Sequence, residues 1–398
     1  MLPDFYRAVT LLLIIALVFL VPACRSESDS QILRPRQLRD VPANRLAFNF
    51  QADVEPPANL PTDEVKSAPA IQQDFDSKRQ QDALLRTVMS PDGQRGLALY
   101  GTADEPATTF SIDLYSADGT FIRNITPPTL AVVFQDSVAW SSDSSMIAFV
   151  GRKSAAAQPS PTPLDLQPEP VLPSASPVPT STIGPAFAPL AVFNTEQVYV
   201  CNRDGYDLHP LTRRDGLIYF GLTWAPDSHA LAALACKENE WDSREKEFKT
   251  PAGRPRLIMT NGAERLLDDQ LAEAPIVWSP DSSKVATSFE SDIGIYDAAN
   301  KAPTQARIKL NETLLTASAA YEEKLPGKKV ESKPEPAQTN PSAAAFHASF
   351  NPIVRLEWPA PEKLYLETAF VRLFNEPVHT WSRWHLITLS PQPAVLKR

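Results

Sequence analysis

Cysteine is the residue type whose placement in this sequence points most directly to chemistry. One of the three cysteines, Cys24, follows the sixteen-residue run AVTLLLIIALVFLVPA, which begins at Ala8 and is nearly all apolar, and precedes the polar stretch RSESDS. A run of this length is short for a membrane span, which needs about 20 residues, but suits the core of a signal peptide. The small residue Ala23 directly before Cys24 is typical of a cleavage site.

The stretch from Val21 to Cys24 resembles the lipobox of bacterial lipoproteins, in which the cysteine is diacylated and becomes the new N-terminus. This resemblance implies that residues 1–24 are a lipoprotein signal peptide and that Cys24 anchors an exported protein to a membrane. An uncleaved N-terminal anchor and ordinary secretion are the alternatives. All three place the body of the protein outside the cytoplasm, in the cell envelope or beyond it.

Cys201 and Cys236 lie in the strand-like stretches VYVC and LAALAC. In an exported protein they could form a disulfide if their Cα atoms come within about 7 Å of each other. The alternative is two buried free thiols. Neither cysteine has a CxxC partner or a nearby histidine pair, so the sequence predicts no zinc site.

The other residues that could do chemistry form no recognisable constellation. The closest pair of histidines, His379 and His385 in VHTWSRWHL, is interpreted as two surface side chains. GxSxG, phosphate-loop, HExxH and GxGxxG motifs do not occur. We therefore expect no catalytic residue, no metal and no cofactor. A net charge of −9 without a basic stripe also argues against a nucleic-acid partner.

A repeated phrase shows which elements organise the rest of the chain. Each copy has an apolar strand end, a polar tight turn and a second apolar strand, which is the pattern of a β-hairpin. The copies are VMSPDGQRGLALYG from Val88, VAWSSDSSMIAFVG from Val138, LTWAPDSHALAALA from Leu222, IVWSPDSSKVATSF from Ile276 and, more weakly, LEWPAPEKLYLETA from Leu356.

Two residue types in the phrase have structural roles. The turn aspartate can accept a hydrogen bond from its own backbone, and a following glycine accepts positive φ, whereas three copies have the less favourable serine there. A tryptophan closes the first strand of four copies and can fill the gap between neighbouring sheets, while the first copy has Met89. The residues concerned are Asp92, Asp143, Asp227 and Asp281 in the turns, and Trp140, Trp224, Trp278 and Trp358 before them.

The spacing of the copies fits the blades of a β-propeller. Asp92 and Asp143 are 51 residues apart, and Asp227 and Asp281 are 54 apart, about the length of one four-stranded blade with its loops. Two longer gaps each contain a Pro-rich insertion that we expect to be disordered, Lys153 to Pro189 and Thr316 to Ala345. Without the insertions the period is restored.

After each hairpin come a third strand, as in TFSIDLYSADG and QVYVCNRDG, and a short polar fourth strand, as in LHPLT. This order resembles the TolB-type, WD-like propeller repeat and extends over residues 85–398. The resemblance implies an all-β fold: a five-bladed, or alternatively six-bladed, β-propeller of four-stranded antiparallel blades over residues 81–398. Residues 25–80 are interpreted as a flexible Pro-rich tether, in which RLAFNFQADV is one strand that could close the ring.

The function that these features favour is a non-catalytic binding or scaffold module held at the cell envelope. It would use a propeller face to hold an envelope protein or a cell-wall component, while the lipid on Cys24 holds it to the membrane. The alternative is a propeller enzyme of lyase or hydrolase type with its site in the central channel. A third possibility is an assembly role in which the insertion from Lys153 to Pro189 is the docking peptide.

Overall fold

The computed structural model describes residues 37–58, 60, 68–102, 109–153, 196–247, 249–299, 302–324, 351–369 and 382–392. Cys24 and nearly all of the insertion from Lys153 to Pro189 lie outside these ranges. The helices within them are α1 (Pro69–Lys78), α2 (Glu238–Lys246) and α3 (Asn311–Lys324). None of the described helices has the length and apolar character needed to cross a bilayer.

Most of the described residues form β-strands. In chain order these are β1 (Leu46–Gln51), β2 (Asp82–Met89), β3 (Arg95–Thr102), β4 (Ser111–Ser116), β5 (Phe121–Asn124), β6 (Leu130–Val132), β7 (Ala139–Trp140), β8 (Met146–Lys153), β9 (Glu196–Asn202), β10 (His209–Pro210), β11 (Leu217–Trp224), β12 (Ala230–Lys237), β13 (Arg254–Met259), β14 (Glu264–Leu266), β15 (Val277–Trp278), β16 (Lys284–Phe289), β17 (Asp292–Asp297), β18 (Gln305–Lys309), β19 (Ile353–Ala360), β20 (Lys363–Ala369) and β21 (Ser382–Pro391).

The strands form antiparallel sheets in which neighbours along the chain are neighbours in space. Sheet 1 contains β2 to β5, sheet 3 contains β11 to β14, and sheet 4 contains β15 to β18. In sheet 2 the broken first strand, β6 and β7, pairs with β8, which is followed by β9 and β10. Sheet 5 contains β19 to β21 and takes its fourth strand, β1, from the N-terminal part of the chain. The predicted four-stranded antiparallel sheets are confirmed.

Apolar cores lie between successive sheets, which explains why the second strand β12 is a continuous apolar run. In β12, Leu231, Ala233 and Ala235 pack towards sheet 2, whereas the alternate residues Ala232 and Leu234 pack towards sheet 4. Because side chains alternate between the two faces of a strand, a strand that packs against apolar cores on both faces is apolar on both. The same stacking joins sheet 1 to sheet 2 and sheet 4 to sheet 5.

The repeated tryptophans fix the relative position of the first strands. All four are nearly buried, with 6–9% of their surface exposed. Three of them donate an indole N–H to the first strand of the preceding sheet: Trp140 to the carbonyl of Val88 (3.1 Å), Trp224 to that of Ala139 (3.2 Å) and Trp278 to that of Thr223 (3.2 Å). The first strands of sheets 1 to 4 therefore lie side by side, an arrangement that is propeller-like. Trp358 instead bonds Pro361 in its own turn (3.1 Å).

The turn serines form a second set of contacts between sheets, which the sequence does not reveal. Ser144, Ser228 and Ser282 have φ of 61°, 62° and 58°, in the left-handed region where the first copy has Gly93. Each hydroxyl accepts the backbone N–H of the turn aspartate in the preceding sheet: Asp92 to Ser144 (3.0 Å), Asp143 to Ser228 (3.1 Å) and Asp227 to Ser282 (3.0 Å). Serine at this position thus makes a contact between sheets that glycine cannot make.

This contact can be tested at Ser228. We expect Ser228→Ala to lower the free energy of unfolding by about 1 kcal/mol, because the substitution removes one hydrogen bond and leaves the strained φ in place. Ser228→Gly removes the same bond but relieves the strain, so it should be about 1 kcal/mol more stable than Ser228→Ala. Denaturant unfolding of both variants measures the difference. Two variants of equal stability would contradict the assigned strain.

The predicted tether from 25 to 80 needs correction, because its described parts pack on the sheets. Helix α1 buries Ile71 and Phe75 against sheet 1, where Phe75 contacts the ring of Tyr100. Arg79, which follows the helix, forms an ion pair of 2.7 Å with the buried Asp113. Together with β1, these contacts make parts of the segment integral to the fold.

The predicted disordered insertion from Thr316 to Ala345 also begins too early. Helix α3 continues to Lys324, buries Leu314 in the core between sheets 4 and 5, and donates a hydrogen bond from Ser318 to Asn351 (2.8 Å). The run NETLLTASAAYEEK has helix-forming residues and no proline, so the proline-rich composition that predicts disorder begins only after the helix. Residues 325–345 lie outside the described residues.

Candidate functional site

One end of the stacked sheets carries the helices that are inserted between strands of sheets 3, 4 and 5. Because neighbouring strands are antiparallel, the connection from second to third strand and the connection to the next sheet emerge at the same end. Helix α2 between β12 and β13 and helix α3 between β18 and β19 belong to this end, which we name the insertion face. The tight turns that contain the repeated aspartates lie at the opposite end.

A cleft of about 890 Å³ opens on the insertion face. It extends across the ends of sheets 3, 4 and 5 and is lined by side chains from their connections. These are Lys249, Thr250, Gln270, Glu273, Ala274, Ser288, Phe289, Glu290, Ser291, Asp292, Asn311, Pro352, Ile353 and Val354. A volume of this size lies at the upper end of the range for ligand pockets. The cleft is therefore the candidate functional site.

The ring of Phe289, which borders the cleft, is held in place by the side chain of Arg307. The guanidinium carbon of Arg307 lies 3.8 Å from the ring centre of Phe289, and Arg307 is itself fixed by an ion pair of 2.9 Å with Asp268. On the sheet 5 side, Val354 is 47% exposed. The backbone register is irregular between Ile353 and Arg355. Because Phe289 is only 4% exposed, Val354 supplies most of the apolar surface that this part of the cleft presents to solvent.

The charged part of the cleft has an excess of negative charge. Glu273 is paired with Arg244 and Lys249 with Glu247, so these lining charges are already compensated. Glu290 and Asp292 have no ion-pair partner among the described residues. Both stand at the turn from β16 to β17, and the backbone carbonyl of Glu290 accepts the N–H of Ile353 (2.7 Å). This bond ties the acidic turn to the start of sheet 5.

A second, smaller cavity of about 230 Å³ adjoins the cleft. It is lined by Trp241, Arg244, Glu245, Lys249 and Pro251, so Lys249 borders both cavities. The ring of Trp241 lies 5.3 Å from that of Phe134 and 5.4 Å from that of Phe220, measured between ring centres. These contacts fix α2 over the first strands of sheets 2 and 3. The two cavities form one continuous surface on the insertion face.

The structure assigns no reactive role to the described cysteines. Cys201 and Cys236 are free and buried, so the predicted disulfide is absent. The reason is their placement: Cys201 belongs to sheet 2 and packs in the core between sheets 1 and 2, whereas Cys236 lies in β12 of sheet 3. Burial raises the pKa of each thiol to about 12, which keeps both thiols protonated at neutral pH.

The interpretation of His385 as a surface side chain is wrong, because it is 1% exposed. Its Nδ1 accepts the backbone N–H of Asp53 (3.3 Å), and its Nε2 lies 3.0 Å from the hydroxyl of Thr368. Since a backbone N–H can only donate, the proton of the neutral ring must be on Nε2. Burial, together with the nearby charge of Arg383, lowers the pKa of His385 to about 4. His379 lies outside the described residues.

The aspartates and tryptophans of the repeats have structural positions. Each turn aspartate accepts the backbone N–H two residues further on through its carboxylate, at 3.0 or 3.1 Å, as in Asp92 with Gln94, Asp143 with Ser145, Asp227 with His229 and Asp281 with Ser283. They lie at the turn end, away from the cleft. The described residues contain no group of three or more His, Cys, Asp or Glu side chains that could share a metal ion.

Sequence reasoning missed the residues of the cleft. Phe289, Glu290 and Asp292 belong to the loop after the fourth copy of the repeat, and Val354 begins the fifth copy. The hairpin pattern explains them as strand ends and turn residues. The turn FESD, from Phe289 to Asp292, has one unusual feature. It contains no glycine, although Glu290 has a φ of +54°, a conformation that favours glycine. Their proximity depends on the stacking of sheets 4 and 5.

Comparisons with known proteins find only weak similarities, all of them to solved structures. No family model matches the sequence, and no curated protein matches it. A prolyl endopeptidase structure has 12% identity and a TM-score of 0.37, over 86% of this chain and 46% of that one. A putative TolB from Agrobacterium tumefaciens has 10% identity and a TM-score of 0.31, over 79% and 91%.

A chain from a nidogen/laminin complex has 11% identity and a TM-score of 0.33, over 88% of this chain and all of that one. The chain spans less than half of the length of the prolyl endopeptidase it matches. At these identities and TM-scores the similarity is weak, and it identifies no substrate or partner for this chain.

Proposed function

We propose that this protein is an envelope-anchored binding module that holds a partner protein in the cleft of its insertion face. In this proposal residues 1–24 are a lipoprotein signal peptide, and lipid on Cys24 attaches the exported chain to a membrane. The observation that carries the proposal is the cleft itself, where apolar side chains and uncompensated carboxylates meet across three sheets. Recognition surfaces commonly combine an apolar centre with charged groups in this way.

We further propose that the five sheets are the blades of one ring. The indole bonds between the first strands of sheets 1 to 4 support this, as does β1, which completes sheet 5 from the N-terminal side of the chain. Helix α1 covers the face of sheet 1 that points away from sheet 2. In a closed ring it would lie at the seam between sheets 1 and 5.

The proposed function predicts a partner that contacts Val354. We would express the full-length chain in a bacterial host with a photoreactive amino acid at position 354, irradiate the cells and analyse the membrane fraction. We expect a discrete cross-linked adduct whose partner is identified by mass spectrometry. In the same cells, Cys24→Ser should remove a diacylglyceryl mass from the N-terminus and release the protein to the soluble fraction.

Position 48 provides a matched control, since Phe48 is also 47% exposed but lies on β1, away from the cleft. Adducts of equal yield from positions 48 and 354, or no adduct at position 354, would contradict a binding role for the cleft. An unlipidated N-terminus would contradict the anchor while leaving the cleft to be judged by its own adduct.

A further inference from the structure

We propose that the cleft binds an extended polypeptide segment through a lysine or arginine side chain, whose charge lies at Glu290 and Asp292 and whose stem lies on Val354 and Pro352. This inference rests on the proposed function and names the chemistry of the partner. It follows from three features of the cleft: its charge, its apolar surface and the internal hydrogen bonds of its two serine hydroxyls.

The charge of the cleft selects a cation. The guanidinium of Arg307, which lies under Phe289, is neutralised by Asp268. Lys309 lies opposite Asp292 in the pair of β17 and β18 but forms no ion pair with it. A cation bound at this turn would compensate carboxylate charge that no described residue pairs. Charge complementarity of this kind determines which partners are accepted.

The apolar surface beside the carboxylates favours a long cationic side chain over a compact inorganic cation. Lysine and arginine bury an aliphatic stem along apolar surface while the charged head reaches a polar region. Val354 is 47% exposed and lies two residues after the partly exposed Pro352, whereas Phe289 and Ile353 are each 4% exposed and only border the cleft.

The hydroxyl groups of the cleft argue against a sugar ligand. Ser288 donates its hydroxyl to the carbonyl of Ile353 (3.0 Å), and Ser291 donates its hydroxyl to the carbonyl of Asn351 (2.8 Å). Gln270 accepts from Arg307 (3.1 Å). The two serine hydroxyls are donated within the protein and so offer no free O–H to a glycan, whereas a cationic side chain needs only the carboxylates and the apolar surface of Val354.

The backbone of Glu290 allows a sharp test. With a φ of +54°, Glu290 occupies a conformation that glycine adopts without strain. Glu290→Gly should therefore keep or raise the stability of the fold while it removes a carboxylate from the cleft. Loss of binding in this variant could not be attributed to unfolding, and denaturant unfolding of the variant would verify the point.

The experiment measures fluorescence polarisation of a labelled decapeptide in which lysine alternates with leucine and alanine, and of the same peptide with norleucine for lysine. We expect the lysine peptide to bind the full-length wild type, and Glu290→Gly and Asp292→Asn each to weaken that binding about ten-fold. Asp215→Asn removes one exposed carboxylate from the connection between sheets 2 and 3, outside the cleft, and should leave it unchanged. The norleucine peptide should bind weakly and equally to all four proteins.

Any of three results would overturn the inference. The wild type could fail to bind the lysine peptide, it could bind both peptides equally, or Glu290→Gly could bind with wild-type affinity. The cross-link at position 354 separates this failure from that of the proposed function. A discrete adduct with a partner whose capture is unaffected by Glu290→Gly would leave the cleft as a binding site and reject the cationic segment. Absence of the adduct would reject both.

Discussion

Asp297→Ala should lower the free energy of unfolding by about 3–5 kcal/mol, the largest effect expected of any single substitution away from the apolar cores. Asp297 is fully buried, and its partner Lys284 is 2% exposed, with Nζ 3.2 Å from the Asp297 carboxylate. The same carboxylate accepts the backbone N–H groups of Ala43 (3.1 Å) and Thr304 (2.9 Å) and the hydroxyl of Thr304 (2.6 Å). The substitution leaves a buried ammonium group without its counter-charge.

Urea unfolding of the full-length protein measures this effect, and a double variant separates its two causes. In Lys284→Met with Asp297→Ala no charge is left unpaired, so part of the lost stability should return. What does not return is the contribution of two sets of bonds: the one to Ala43, which holds the N-terminal segment to sheet 4, and those to Thr304 within sheet 4. A single variant within 1 kcal/mol of the wild type would show that the buried pair is not needed for the fold.

Acidification from pH 6.5 to pH 4 should cost the fold roughly 3 kcal/mol through His385 alone. The folded pKa of about 4 lies below the ordinary value of 6.5, so between these values the unfolded chain binds more protons than the folded one. The contribution of His385 is therefore complete above pH 6.5 and is lost as the pH falls towards 4. Protonation would also place a donor on Nδ1 opposite the N–H of Asp53, which is itself a donor.

The measurement compares the pH dependence of unfolding in the wild type and in His385→Gln, which keeps a donor and an acceptor but cannot titrate. Other titrating groups contribute equally to both proteins, so the difference between the two curves isolates His385. We expect this difference to shrink by roughly 3 kcal/mol from pH 6.5 to pH 4. Parallel curves over this interval would show that the buried ring does not resist protonation.

His385 also illustrates why the sequence misplaces some residues. The stretch RWHL, from Arg383 to Leu386, alternates polar and apolar residues, and the polar positions of such a strand are assigned to the solvent face. It is buried because β1 pairs with β21 and brings Asp53 beside the ring. That pairing joins residues more than 300 positions apart, and no local pattern reports it.

What the sequence by itself determined is the repeat: the hairpins, their tryptophans and aspartates, and the four-stranded antiparallel sheets. These depend on alternation of apolar residues and on turn chemistry, which act over a few residues and are written into the chain. The sequence also contains the segment around Cys24, whose interpretation remains a prediction.

Only the tertiary structure decided the rest. The left-handed serines are explained by the turn of the preceding sheet, α1 by the face of sheet 1 that it covers, and the free thiols by the separate sheets in which they lie. The cleft exists because Glu290 on sheet 4 and Val354 on sheet 5, 64 residues apart, meet when those sheets pack together. Stacking of sheets creates surfaces from residues that are distant in the chain, whereas local patterns register only neighbours.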